Sequence, residues 1–185
     1  MVIIMNNELD KKLVETYPKI FRNRYGDPRT TAMCWGFEIG DGWFDIINGL
    51  CSMIQSYIDY NNRERLQGLL HNRAIQRQSE KLMIISKTLD NLERRTDNWI
   101  IQQSKIDLQD RILRDVPERI PQVIAVQVKE KFGTLRFYYN GGDRYTNGLV
   151  DMAEKMTAHT CEECGDKGTL YTEGWMVCRC QKHRN

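Results

Sequence analysis

The sequence predicts an α+β fold: a small antiparallel β-hairpin or sheet packed on helices, with a long helical segment and a compact cysteine-rich module near the C-terminus. Three observations carry that reading. Residues 121–142, PQVIAVQVKEKFGTLRFYYNGG, alternate apolar and polar on both sides of Phe132-Gly133, as two strands joined by a tight turn do. Residues 61–115 are crowded with Arg, Gln, Lys, Glu and Asp and hold a single glycine, Gly68, and no proline. Four cysteines and a histidine fall in two close groups, Cys161 with Cys164, and Cys178 and Cys180 with His183.

At 185 residues and 21.8 kDa the chain suits one domain, or a domain with an appendage. The formal charge of +2 supplies no global field toward nucleic acid or an anionic membrane, so binding to either would need a local patch. No apolar run approaches the ~18 residues of a membrane span, and MVIIM is too short and lacks the basic flank of a signal peptide. The expectation is a cytoplasmic protein that does not bind membranes, in which paired cysteines serve as metal ligands rather than disulfides.

Taken in order, Asn7 can cap a short helix carrying Leu9, Leu13, Val14 and Tyr17, which Pro18 stops. Loop-rich chain follows, strand-like only from Met33 to Ile39. Asp41 or Gly42 then opens a helix whose stripe of Trp43, Ile47, Leu50, Ile54 and Tyr57 or Ile58 should pack on the hairpin's apolar face. Cys51 lies on that stripe, and both it and Cys34 read as small buried hydrophobes.

From Asn61 onward Leu82, Ile85, Leu89, Leu92, Trp99, Ile106 and Leu113 recur three or four apart, interrupted by Thr96, Gln103 and Asp110. This is coiled-coil patterning. One helix of that length would reach about 75 Å, so it either pairs with another chain, giving a homo-oligomer, or breaks near Thr96-Asp97-Asn98 into a helical hairpin.

In the hairpin, strict alternation assigns Ile124, Val126 and Val128 to one face of the first arm, and Leu135, Phe137 and Tyr139 to one face of the second. The other face gathers Gln127, Lys129, Lys131, Arg136 and Tyr138. Beyond it Thr146 or Asn147 can cap a helix whose apolar positions are Leu149, Met152 and Met156, with the methionines as core filler.

Cys161, Cys164, Cys180 and His183 form C-x2-C-x15-C-x2-H, four soft ligands that suit a closed tetrahedral zinc site with no position left for water or substrate. Cys178 competes as the third thiolate, and His159 is a more distant candidate. The residues between the pairs can make a small hairpin with Leu170, Tyr171, Trp175 and Val177, giving a zinc-ribbon-like or knuckle-like tail.

CWGFE with GDGW, VQVKEKFGTLRFYY, and CEECG with the closing CxxH resemble a family of small uncharacterised proteins of phages, prophages and proteobacteria. The resemblance covers roughly Pro18 to Tyr60 and Pro121 to His183. It implies a phage or mobile-element setting in a bacterial host cell, favours Cys180 with His183 as second ligand pair, and makes 61–116 an insertion into a core of 1–60 plus 117–158, followed by a zinc module of 159–185. It implies no activity.

Outside the metal ligands the motif residues are Trp35, Glu38, Asp41, Trp43, Lys129, Lys131, Arg136 and Tyr138. Tryptophans, cations and acids of this kind can build a pocket for a nucleotide-like molecule. The competing reading makes the tryptophans core, Asp41 a helix cap and the cations a solvated face. No phosphate-binding glycine loop, nucleophile motif or two-histidine metal helix is present, so no catalytic residue is assigned. The leading expectation is a non-enzymatic binding protein that sequesters a nucleotide-derived signal or blocks a host defence protein. A zinc-containing nucleic-acid binder comes second, and a hydrolase or nuclease third.

Overall fold

Helix α1 (Asn7–Thr16) starts on Asn6, whose side chain accepts the Leu9 amide, one residue earlier than the sequence suggests. The computed structural model describes residues 3–93 and 113–184, and of 79–83 and 85–93 the backbone alone. It divides the chain into two units, one of Met1–Tyr60 with Ile120–Asn185 and one of Asn61–Arg119.

In the first unit, the expected strand from Met33 to Ile39 is mostly absent. Thr31 caps a 3-10 turn at Ala32–Trp35, and Gly36 then takes a positive φ of 86°, which leaves a two-residue strand β1 (Phe37–Glu38). A further 3-10 turn, Asp41–Trp43, leads into helix α2 (Phe44–Glu93). Trp43, Ile47, Leu50, Cys51, Ile54 and Ile58 are buried, so the expected stripe is the core-facing one.

Strands β2 (Ile124–Lys131) and β3 (Thr134–Asn140) form the hairpin, with Lys131 opposite Thr134 across a two-residue turn. Both turn residues have positive φ, 57° at Phe132 and 76° at Gly133, as a type I′ turn requires. Strand β1 adds in parallel to β2, so the sheet is mixed, in the order β1-β2-β3.

The face assignment of β2 needs correction. Ala125 pairs with Tyr139 and Gln127 with Tyr138, so Val126 is the extra residue of a β-bulge and the alternation changes phase there. Val123, Ala125 and Val128 are therefore the buried positions, and Ile124 and Val126 are half-buried. On β3, Leu135 and Phe137 are buried as expected, in one core with the α2 stripe.

Helix α3 (Arg144–Thr157) is capped by Asp143, not by Thr146 or Asn147, because the Asp143 carboxylate accepts the Thr146 amide. Its buried side chains are Thr146, Leu149, Val150, Ala153 and Thr157. Met152 and Met156 are 50% and 48% exposed, which corrects their reading as filler. The helix lies along the outer edge of β3: Thr157 Oγ1 accepts the Leu135 amide and Glu154 Oε1 the Phe137 amide, each at 3.0 Å. An edge strand that would otherwise present free amides is thereby covered.

In the second unit, a returning segment runs beside α2. Asn72 exchanges two hydrogen bonds of 2.9 Å with the Arg114 backbone, Arg65 donates to the Pro117 carbonyl, and the missing side chain of Gly68 leaves room for Val116. Leu66, Leu70 and Leu113 are exposed. The side chains of Leu82, Ile85, Leu89, Leu92, Trp99 and Ile106, and the break expected at Thr96-Asp97-Asn98, lie outside the described residues. No described helix is long and apolar enough to cross a membrane.

Candidate metal centre

Helix α3 ends in a turn that delivers Thr160 to a bridge with Lys167, and between them the chain folds into a tight loop. The Cys161 amide donates to the Asp166 carbonyl and the Gly165 amide to the Cys161 carbonyl, at 2.8 and 2.9 Å. Gly165, at φ 78°, makes the turn that brings Cys164 back beside Cys161. Strands β4 (Thr169–Tyr171) and β5 (Val177–Arg179) pair antiparallel and lead to Cys180, after which a 3-10 turn, Gln181–His183, lifts the imidazole over the loop.

The ligand atoms of Cys161, Cys164, Cys180 and His183 all lie within 4.8 Å of one another, and these four residues could hold a metal ion. Cys164 Sγ is 3.7 Å from Cys180 Sγ, and His183 Nδ1 is 3.6 Å from Cys161 Sγ and 3.3 Å from Cys180 Sγ. A tetrahedron with bonds of about 2.3 Å to sulfur and about 2.05 Å to nitrogen has S···S edges of about 3.8 Å and S···N edges of about 3.5 Å. Three of the six donor pairs stand close to those separations, and all six lie within 4.8 Å. Cys178 is not in the cluster: it sits on β5 with its side chain in the hydrophobic core, where burial pushes its thiol up. His159 is exposed and also outside the cluster.

Electrostatics favour a cation here. Burial works against the Cys161 thiolate, yet the amides of Cys180, Cys164 and Glu163 and the His183 ring hold its pKa down to about 6. At Cys164 the Asp166 amide favours the thiolate, but desolvation and the sulfurs of Cys161 and Cys180 push the thiol up to about 11. Crowded thiols of this kind ionise against one another, and a divalent ion removes that repulsion.

The loop is held by its surroundings. Glu162, 2% exposed, accepts from Arg179 at 2.8 Å through one oxygen and from the Gly40 amide at 3.1 Å through the other. Burial raises its pKa and Arg179 opposes that shift. Arg179 Nε also pairs with Glu163 at 3.1 Å, and a Glu163 oxygen lies 3.8 Å from His183 Nε2, the nitrogen that faces away from the sulfurs. A carboxylate in that position orients a ligating imidazole.

The remaining motif residues do not form one site: Trp35, Asp41 and Trp43 stand apart from those on the sheet face. Trp35 is 65% exposed on its 3-10 turn, and Trp43 is buried, its Nε1 donating to the Thr160 carbonyl at 2.8 Å. Asp41 does not cap a helix with its side chain; it accepts from the backbone and side chain of Asn6. Glu38, Lys129 and Arg136 form a row across the outer face of the sheet through the pairs Glu38–Lys129 and Lys129–Arg136. Glu38 accepts from Gln127, and Arg136 reaches Glu154 at 3.6 Å. Lys129 stands over the Tyr138 ring and Lys131 over that of Phe132. Cys34 is half-buried and bonds the Thr31 carbonyl, and Cys51 is wholly buried, its thiol pushed up by burial.

Two depressions border this region. One of 370 Å³ is lined by Glu38 and Lys129 together with Glu130, Glu162, Trp175 and Arg179; the other, of 360 Å³, by Glu130, Lys131, Phe132, Gly174, Trp175 and Met176. Trp175 and Phe132 are 79% and 59% exposed. Sequence reasoning missed this pair, because it counted Trp175 with the apolar residues of the small hairpin and took Phe132 only as the turn. Two large aromatics on neighbouring turns were the available signal.

No protein-family model, curated protein or solved structure matches the chain, so the chemistry of these residues is the ground for any functional reading.

Proposed function

We propose that the protein is a non-enzymatic binding protein whose C-terminal module is a knuckle closed by structural zinc and which acts by docking a protein partner. The observation that carries this is the donor set: three cysteine sulfurs and one imidazole whose ligand atoms all lie within 4.8 Å of one another. Soft donors of this kind select zinc, and four of them fill its coordination sphere, which leaves an anchoring role rather than a catalytic one. Glu38 and Asp41, the carboxylates available for acid-base work, are engaged by Gln127 and Asn6.

The docking face is the groove between Phe132 and Trp175. Its charged lining is one Glu and one Lys, with no excess of cations for an anionic ligand, and its exposed aromatics suit an apolar anchor on a partner protein. This weighs against a nucleotide-derived ligand, as does the dispersal of Trp35, Trp43 and Arg136. Self-association through 61–116 draws support from the exposed Leu66 and Leu70. Six free thiols suit a reducing cytoplasm. The phage setting and a host defence protein as partner rest on the motif resemblance.

Elemental analysis of metal-replete protein should find one zinc per chain. Calorimetric titration with nucleotides and cyclic nucleotides should show no binding, and saturable heat would replace the protein-partner reading with the nucleotide one. An identified partner should lose at least tenfold in affinity on Trp175→Ala. Nucleic acid remains the second reading because Lys129, Lys131, Arg136 and Tyr138 share one sheet face. Retention on DNA or RNA that falls with salt, and weakens when the three cations are replaced, would favour it.

A further inference from the structure

We propose that the Gly40–Trp43 turn is a positioning element of the metal centre, setting its affinity from a point some 120 residues upstream of the first ligand. The inference rests on the zinc reading above and adds to it a part of the chain that supplies no ligand.

Three hydrogen bonds join the turn to the ligand loop. The Gly42 amide donates to the Glu162 carbonyl at 2.8 Å, the Gly40 amide to the Glu162 carboxylate at 3.1 Å, and Trp43 Nε1 to the Thr160 carbonyl at 2.8 Å. The bonded residues flank Cys161 on both sides. The turn thus fixes the backbone immediately before and after the first ligand, while the amides within the loop converge on its sulfur.

Close approach explains the two glycines. A Cβ on Gly42 would stand 2.2 Å from the Cys161 carbonyl oxygen, 2.4 Å from the Gly165 nitrogen and 2.7 Å from the Cys164 nitrogen; a Cβ on Gly40 would stand 2.3 Å from the Glu162 oxygen. All of these are backbone atoms of the ligand loop. A side chain at Gly42 must therefore push apart the segment that holds Cys161 and Cys164 at ligating distance.

The arrangement also accounts for GDGW and CEECG occurring in one chain. Trp43 is fully buried at the start of the core stripe, so the same residue seats α2 in the core and grips the loop. Metal binding and docking of the loop on the Gly40–Trp43 turn become one event, because an ordered loop is what the turn recognises and the turn is what keeps the loop ordered. Contacts behind metal ligands typically change affinity by about 10- to 100-fold when lost.

The test measures zinc affinity by competition with a chromophoric chelator, and coordination geometry by the visible spectrum of the cobalt-substituted protein. Gly42→Ala should weaken zinc binding at least tenfold and alter the cobalt spectrum. Trp43→Phe, which removes the indole donor together with part of the ring's volume, should weaken it by a smaller factor, and, set against the Val150→Ala core truncation, it decides the matter if the glycine variant fails to fold. Gly49→Ala on α2, where a Cβ meets nothing within 4 Å, should bind as wild type. Val150→Ala, a core truncation on α3, should lower stability and leave zinc affinity unchanged in the folded protein. Wild-type affinity in both turn variants, or an equal loss in Val150→Ala, would overturn the proposal. Failure of the wild-type protein to bind zinc would instead overturn the zinc reading itself.

Discussion

Glu162 in the ligand loop gives one carboxylate oxygen to Arg179 and the other to the Gly40 amide, whereas Glu38 on the outer face of the sheet meets a side-chain amide from Gln127. The same contrast runs through both regions. Around the cysteines the described buried side-chain nitrogens and oxygens have partners and glycines bring backbones into contact; across the sheet, Lys129 and Lys131 lean over exposed rings. Motif residues drawn from the same parts of the sequence thus serve two ends. Gly40, Gly42 and Trp43 of the GDGW turn are hydrogen-bonded to the metal loop, whereas Lys129, Lys131 and Tyr138 on the sheet face present exposed rings and ammonium groups outward.

Removing the metal should separate the two regions most sharply. Structural zinc binds with an apparent free energy of about 10 kcal/mol or more in small domains, so chelation, or Cys161→Ser, should cause the largest loss of thermal stability of any change considered. A melting temperature within about 2 °C of the untreated protein would show that the loop stands without its metal. Next in size is Arg179→Leu, which strands the buried Glu162 and should cost about 3–5 kcal/mol by urea denaturation, with much of the loss recovered when Glu162→Leu is added.

Asp143 offers a smaller and pH-dependent effect. Burial would raise its pKa, but the hydroxyl of Tyr57 at 2.7 Å and the Thr146 amide prevail and lower it. A carboxylate depressed in the folded state contributes stability above its unfolded pKa and loses it as pH falls through the folded value. Asp143→Asn keeps a capping oxygen, since Asn and Asp cap about equally well, and should flatten the acid limb of a stability-pH profile, whereas Asp143→Ala should also cost about 1 kcal/mol at neutral pH through the lost cap. The smallest effects belong to the sheet face: Lys129→Ala, Lys131→Ala and Tyr138→Ala should each change stability by less than about 0.5 kcal/mol. A larger loss would make that face part of the scaffold.

Periodicity exposed what depends on one element at a time. The α2 stripe from Trp43 to Ile58, the turn at Phe132-Gly133 and the burial of Leu135 and Phe137 were all legible. The bulge at Val126 was not, because an inserted residue leaves no mark in an apolar run, and every position before it changes face. Cys178 and Cys180 were equivalent by spacing; strand β5 separates them by turning the first into the core. Met152 and Met156 fell on an apolar spacing, but α3 buries its Leu149, Val150 and Ala153 side, a choice made by its position along β3. The grip of the GDGW turn on the ligand loop was invisible, since backbone-to-backbone contact between distant glycines has no composition signal.

Phe132 is the one described residue other than glycine with a positive φ. A bulky side chain in that conformation costs roughly 1–2 kcal/mol, and asparagine would fill the turn more comfortably. Phe132→Asn should therefore yield a tougher protein and a hairpin that closes more readily, while stripping one wall from the aromatic groove. Stability and partner binding would then move in opposite directions, making this turn a place where durability and use can be traded against each other and measured on the same variant.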